Sequence, residues 1–407
     1  KSGQGRTGDR FQIIVMWFED LLISLKQQIV MIAPEHFRPV FSAMLSTIPI
    51  LSAFGGLFAV ITLVERKMLG RIQNRYGPNR VGPGGIFQPI ADGIKMLTKE
   101  DIIPFSANQF LHLIAPLLLL VTAMLGLAVI PFGHKLVAVE FEAGILFFFA
   151  IGGAAELAVF IAGWASRNKY ALLGSLRAIA QMISYEIPLV LSSVAVLMAA
   201  GSLSLPEVVE AQAGGIQSWY IWTPWGFLGC ILFLIATLAE VNRSPFDIPE
   251  AESELIAGHM TEYSGFKYAI FFLAEFVAMF AMCALTATLF LGGFHAPLPI
   301  LDFIPGPFWL FAKLILLVLL FIWIRGTMPR LRADQLMEFA WKFMLPMSVM
   351  NLVTTGVWIS LGGGVFAWVV GAVMNAGAYF GWSRLLSQSS RVKPRVYRYA
   401  EETKANV

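Results

Sequence analysis

Residues 240–263, EVNRSPFDIPEAESELIAGHMTEY, open at the end of one apolar run, 224–241, and close just before another, 269–292. Each run is near the roughly 20 residues an α-helix needs to cross a bilayer core of about 30 Å. The stretch therefore reads as a loop joining two membrane helices. It carries six carboxylates, Glu240, Asp247, Glu250, Glu252, Glu254 and Glu262, against one cation, Arg243. Part of it reads as a short helix, with Asp247 as N-cap, Pro249 in the first turn and Glu250 completing a capping box. On that helix Glu250 and Glu254 share a face, one turn apart. Carboxylates crowded away from bulk water repel one another and share protons, which is how a proton-handling site is written. The plainer alternative is a solvated acidic loop.

The same pattern extends along the chain. Its 407 residues are 57% hydrophobic and 14% charged, with a mean hydropathy of +0.71, where a soluble chain carries roughly a quarter charged residues. The fold class is all-α and polytopic. Spans are expected at 41–64, 110–131, 143–164, 178–200, 224–241, 269–292, 307–325, 343–361 and 364–383, the last two forming a tight hairpin at Gly362. No internal repeat is apparent, which argues against an inverted-repeat transporter. Within 1–40, the first ten residues read as a basic lead with no cleavable signal peptide. In 11–33, Gln12, Glu19 and Lys26 recur every seven residues on one face. That spacing predicts a helix lying in the interface, with a tenth span as the alternative.

Lysine and arginine set the orientation. The segments after spans one, three, five and seven, together with the tail, hold 22 of the 29 basic residues, while 201–223 has none. The positive-inside rule puts the former in the cytoplasm, with the N-terminus outside and the C-terminus inside. The expected organisation is a lead at 1–40, a core at 41–361 with cytoplasmic loops 65–109, 240–268 and 325–342, and an extra span with a basic tail at 362–407. In the first loop, Ile86, Ile90, Ile94 and Leu97 fall on one side and Asp92 and Lys95 on another, a second interfacial helix.

Ionisable groups inside spans are costly and default to function. Glu156 sits mid-span with no cation in its own span. Glu186 lies in QMISYEIP (181–188) beside Tyr185, with Pro188 loosening the helix, and Glu275 lies just inside the sixth span. With Glu240 and the acidic loop they read as a proton relay, and hydrogen-bonding glue between helices is the alternative. Arg66, Lys67, Arg71, Arg75 and Arg80 follow span one, and Arg325, Arg330 and Arg332 follow span seven. Lipid phosphates explain many such arginines, while carboxylates of a partner explain others. Cys230 and Cys283 lie inside apolar spans, and the five histidines lack metal-ligand or haem spacing. No P-loop or dinucleotide fingerprint is present, so no bound cofactor and no nucleic-acid partner is expected.

Two long stretches carry a resemblance. ERKMLGRIQNRYGPNRVGPGGIFQPIADGIKMLTKEDIIP at 65–104 and EVNRSPFDIPEAESELIAGHMTEYSGFKYAIFFLAE at 240–275 resemble the two signatures of the quinone-chamber membrane subunit of respiratory complex I. QMISYEIP and RGTMPRLRADQLMEFAWK at 325–342 are similar to the same family, and the resemblance covers about 41 to 360. It implies an eight-helix core at the junction of the membrane and hydrophilic arms, with a ninth C-terminal helix beyond the usual pattern. It implies a chamber for the quinone headgroup lined or supported by Glu65, Arg66, Arg75, Asp92, Arg243, Phe246, Asp247, Arg325 and Arg330. An acidic path would begin at Glu240, Glu250, Glu252, Glu254 and Glu262 and continue through Glu275, Glu186 with Tyr185, and Glu156. Quinone would be the substrate. FMN and iron–sulfur clusters would sit in partner subunits of the hydrophilic arm, and small membrane subunits would lead on to antiporter-like ones. The implied setting is the bacterial inner membrane, and the chain's length fits a bacterial rather than a mitochondrially encoded member. Two other readings stay open: a quinone-free hydrogenase-type complex using the same fold, and an autonomous proton channel or transporter. A scaffold whose buried acids only hold helices together is a third.

Overall fold

The computed structural model describes residues 24–31, 34, 37–134, 136–248, 256–301 and 303–389. Every expected span is a helix. They are α1 (Arg38–Ile72), α3 (Gln109–Ala128), α4 (Gly144–Ala165), α5 (Lys169–Ala200), α7 (Pro224–Glu240), α8 (Gly265–Phe290), α9 (Gly306–Thr327), α10 (Ala333–Ser360) and α11 (Gly364–Ser389). Between them lie an amphipathic helix, α2 (Gln88–Thr98), and a short one, α6 (Leu205–Glu210). Eight of the nine apolar helices are long enough to cross a membrane. The ninth, α7, has 17 residues and reaches about 25 Å at 1.5 Å per residue. A 3₁₀ turn at Tyr220–Trp222 leads into it, and the Thr223 hydroxyl caps it by accepting from the Gly226 amide.

Several helices outrun the expected spans because helix formation does not stop at the membrane boundary. The sequence expected a span at 178–200, whereas α5 starts at Lys169, where the Asn168 side chain caps it by accepting from the Tyr170 amide. Likewise α10 runs unbroken from Ala333 into the span, through a π-helical turn at Ala340–Met344. The α10–α11 hairpin turns on Gly362, Gly363 and Gly364, which have φ of 71°, 76° and 91°. Those are left-handed values that only glycine takes without strain.

α8 is the axis of the bundle. It is apolar on all sides and buried along most of its length, with α1, α3, α7 and α9 packed around it, while α5 contacts α4, α7 and α10. The outer α11 lies on α10 and α7. It is pinned by hydrogen bonds from the Trp368 indole to the Trp222 carbonyl and from the Asn375 amide to the Pro224 carbonyl. A further bond runs from the Trp382 indole to the Lys342 carbonyl in the π turn.

The loops sort into two groups, as the charge pattern requires. At one end the segments after α1, α4, α7 and α9 touch one another, through Glu65 with Arg243 and Arg325, and Asn168 with Glu262. At the other end the Ile216 amide donates to the Pro297 carbonyl, and the His134 and His295 rings lie 5.4 Å apart. Of the expected N-terminal interfacial helix, 24–31 is described and is helical, with Lys26 donating to the Ser46 hydroxyl. Gln12 and Glu19 lie outside the described residues. The second interfacial helix forms as α2, has no buried residue, and leaves Ile90, Ile94 and Leu97 exposed.

Candidate functional site

Glu65 ends the apolar part of α1 and is buried at the loop-bearing end. Its carboxylate accepts from Arg325 at the end of α9 and, at 3.4 Å, from Arg243 in the acidic loop. Three distant segments thus meet on one side chain. A buried carboxylate shared by two guanidinium groups has its hydrogen-bonding capacity met by charge-assisted bonds. Arg243 is buried too, stacks 4.1 Å over the Phe276 ring, and has one terminal nitrogen, Nη2, with no partner among the described residues.

Beside this cluster the Arg330 guanidinium donates to Asp247 Oδ2 at 2.8 Å, and Asp247 Oδ1 is buried without a partner among the described residues. Burial pushes the Asp247 carboxyl above the usual carboxylate range, and Arg330 opposes that shift without cancelling it. The loop segment is anchored from both flanks. The Leu331 amide donates to the Pro245 carbonyl, while the Gln181 side-chain amide of α5 donates to the carbonyls of Ala239 and Phe246 at 2.7 Å each. Phe246 packs 5.5 Å from the buried ring of Tyr185, whose hydroxyl donates to the Leu336 carbonyl at 3.0 Å.

Arg66 pairs with Asp92 on α2, tying the interfacial helix to α1. Lys267 pairs with Asp101 at 2.9 Å, and the Ser264 hydroxyl accepts from the Ile102 amide, which seats the end of the first loop on the start of α8. Arg75 is not brought to the cluster: it is exposed and donates to Gln73 two residues back. The turn at 73–85 folds against its own helix instead, with the Arg75 amide donating to the Gly70 carbonyl. Glu250, Glu252 and Glu254, with the short helix expected around them, lie outside the described residues.

The carboxylates deeper in the bundle have a different setting. Glu240 and Glu156 are buried, and each has a carboxylate oxygen without a hydrogen-bond partner among the described residues. Glu240 lies within electrostatic reach of Glu156 and Glu186, and Glu156 within reach of Glu186. None of the three forms an ion pair among the described residues. Glu240 and Glu275 line one cavity of about 90 Å³ between α3, α4, α7 and α8, enough for several water molecules. The cavity exists because its walls carry Gly126, Gly152, Ala155, Ala274 and Ala278, which are too small to fill it. Glu262 sits apart, accepting from the Asn168 side chain.

Three residues that sequence reasoning did not single out hold this arrangement. Asn242, with φ of 50°, accepts from Gln181 and turns the chain out of α7. Lys313 in α9 donates to the carbonyls of Leu291, Gly293 and His295 at the far end of the bundle, closing the C-terminus of α8. A lone lysine inside an apolar span was the signal available for it. The third, His259, also lines the cavity.

A family profile described as NADH dehydrogenase matches residues 45–356. Among similar proteins, the NADH-quinone oxidoreductase H subunit of Anoxybacillus flavithermus is 51% identical over 297 residues, spanning 72% of this chain and 87% of that protein. The H subunit of Brevibacillus brevis is 47% identical over 322 residues, 79% of this chain and 94% of its own length. That of Burkholderia ambifaria is 48% identical over 307 residues, 74% and 86% respectively.

Proposed function

This chain belongs to the NADH dehydrogenase family, as a relative of the H subunits of NADH-quinone oxidoreductases, and from that premise we propose that its arginine–carboxylate end is the membrane-side wall of a quinone chamber. The chain is a subunit of an oxidoreductase complex, and the deeper carboxylates couple the chamber to proton movement. The observation that carries the reading is the identity of about half over nearly three quarters of the chain to proteins of that name, with the family profile spanning both clusters at 45–356.

A quinone headgroup offers two carbonyl oxygens and a flat ring. The buried Nη2 of Arg243, without a partner among the described residues, supplies a donor to such an acceptor, and Phe246 and Tyr185 supply aromatic surface. Glu65 and Asp247 keep the arginines in place and offset their charge. Glu250, Glu252, Glu254 and Glu262 follow Asp247 in sequence. Reduction of a quinone to a quinol consumes two electrons and two protons, so turnover changes the charge and proton content of the chamber. Carboxylates without cation partners register such a change by gaining or losing protons. Glu240, Glu186 and Glu156, running into the bundle from the chamber side, are the groups placed to do so, with Glu275 beside Glu240 at the same cavity and Tyr185 between chamber and path.

With Cys230 and Cys283 buried in separate spans, we place FMN and the iron–sulfur clusters in partner subunits of the hydrophilic arm, small membrane subunits beside the deeper carboxylates, and the loop-bearing end in the cytoplasm. The bacterial relatives support the inner membrane as the location, with the C-terminus on the cytoplasmic side. The quinone in the relatives' names favours this reading over the quinone-free hydrogenase type.

The test is affinity purification of the complex from mild-detergent membranes. We expect NADH:quinone reduction sensitive to a quinone analogue, and loss of that activity by tenfold or more in Glu240→Gln with the complex intact. A chain that purifies alone, or a fully active Glu240→Gln complex, would sink the proposal.

A further inference from the structure

His259 sits in a 3₁₀ turn, Gly258–Met260, pressed between α4 and α5. The approach is close: a Cβ on Gly174 of α5 would lie 2.6 Å from the Gly258 Cα, so glycine on both sides lets the turn sink into the bundle. The imidazole is 2% exposed and meets the Phe271 ring edge-on at 5.6 Å. It lines the same cavity as Glu240, Asn242 and Glu275, yet neither ring nitrogen has a hydrogen-bond partner among the described residues.

Burying two nitrogens without partners costs about 1–3 kcal/mol for each group left unsatisfied. A phenylalanine would fill the space and pack on Phe271 without that cost. The nitrogens are therefore the reason for the residue, and the cavity that His259 lines has room for water beside it.

Burial lowers the ring to about 4, so at neutral pH it is an imidazole with one N–H donor and one bare acceptor. The elements packed around it bring titratable and charged groups: Glu156 from α4, and Lys169, Tyr170, Arg177, Tyr185 and Glu186 from α5. Glu240 comes from α7, and Lys267 and Glu275 from α8, with Glu262 and Tyr263 just beyond in the chain. Burial alone accounts for the shift, so none of them holds the ring charged. In sequence His259 lies between Glu254 and Glu262. Glu240, Val241 and Asn242 line the cavity from the start of the acidic stretch, and His259 lines it from the far end.

We propose that His259 is a proton carrier between the acidic loop and the Glu240–Glu275 cavity. The ring takes a proton at one nitrogen and releases one from the other to cavity water or a carboxylate. It ends neutral in its other tautomer; no electron moves, and rotation of the ring restores the starting state. The inference rests on the acidic path proposed above and adds to it an entry that the row of glutamates lacks.

The experiment uses the assembled complex in proteoliposomes, with His259→Phe and His259→Gln, and with Glu240→Gln alongside. The readouts are inhibitor-sensitive quinone reduction, proton uptake and the solvent deuterium isotope effect on turnover. His259→Phe preserves the ring packing. It is expected to slow coupled turnover about tenfold or more and to raise the isotope effect, because a proton must then cross the gap without the ring. His259→Gln should behave likewise, since an amide does not take and release protons at neutral pH. Wild-type rates in His259→Phe, or slower turnover with an unchanged isotope effect, overturn the proposal and leave the ring a packing residue. So does failure of both variants to assemble. Loss of activity in Glu240→Gln with none in His259→Phe defeats the histidine alone. Full activity in both defeats the acidic path with it.

Discussion

Glu65 and Glu240 are the same residue type, both buried at the ends of membrane helices, and they are treated in opposite ways. Glu65 is held by Arg243 and Arg325, and nearby Asp247 is held by Arg330. Glu240 has Glu156 and Glu186 within electrostatic reach and no cation paired with it among the described residues. A carboxylate between two guanidinium groups is held by both, and its removal strands the buried Arg243. A carboxylate among others has no such clamp on it. The first arrangement is suited to shape and to fixed donors for a ligand, the second to exchange. Under the function proposed above, the two regions of one bundle divide the labour between binding and proton transfer.

The sharpest way to break that division is to delete the fixed charge. Glu65→Ala leaves the buried Arg243 without its carboxylate, and truncating one partner of a buried pair costs about 4 kcal/mol. We expect loss of the folded subunit from the membrane complex, read as thermal stability and yield after purification. Glu240→Gln should leave both unchanged while stopping activity. If instead Glu65→Ala assembles normally, the two clusters do not differ in kind.

A smaller effect sharpens the contrast through pH. His259 and His295 are both lowered by burial to about 4 from 6.5, His295 also by His134 and Lys313. Unfolding therefore takes up protons between those values, and the stability these rings contribute is full above pH 6.5 and lost as pH falls toward 4. His259→Phe should remove its share of the slope, up to about 3 kcal/mol across the window, measured as melting temperature against pH in detergent. The slope left behind is expected to belong to His295, at the opposite end of the bundle. A slope unchanged in His259→Phe would mean that the ring is solvated.

The smallest effect is reserved for α11, which belongs to neither region. Trp382→Phe removes one hydrogen bond to the π turn of α10 and should cost about 1 kcal/mol, seen in melting temperature with quinone reduction intact. That turn carries Trp341, whose indole donates to Ser184, one residue before Tyr185. A fall in quinone reduction beyond the stability change would bring α11 into the machinery.

The spans were legible because the requirement they meet is local. An apolar run of sufficient length crosses a bilayer whatever surrounds it, and all nine expected runs are helices. The grouping of loops into two ends was legible for the same reason, since alternation of spans dictates it. The helix ends were not, because α5 and α10 continue on capping and packing that hydropathy does not register. The candidate residues were legible as types and motifs; their partners were not. Glu65 meets Arg243 across 178 residues and Arg325 across 260, whereas Arg75, equally conspicuous in the same loop, turns back to Gln73. His259 carried no signal at all beyond being one histidine among five.

By itself, then, the sequence determined which apolar runs from residue 41 onward become helices, which loops share an end, and where its costly charges lie, since each follows from composition along a line. Which of those charges are neutralised, and which are left facing one another around a cavity, depended on the rotation and depth of each helix against its neighbours. Only the packing of α8 among α1, α3, α7 and α9, and of α5 against α4 and α7, decided that, because an ion pair is a contact of a few ångströms between residues that the chain itself keeps far apart.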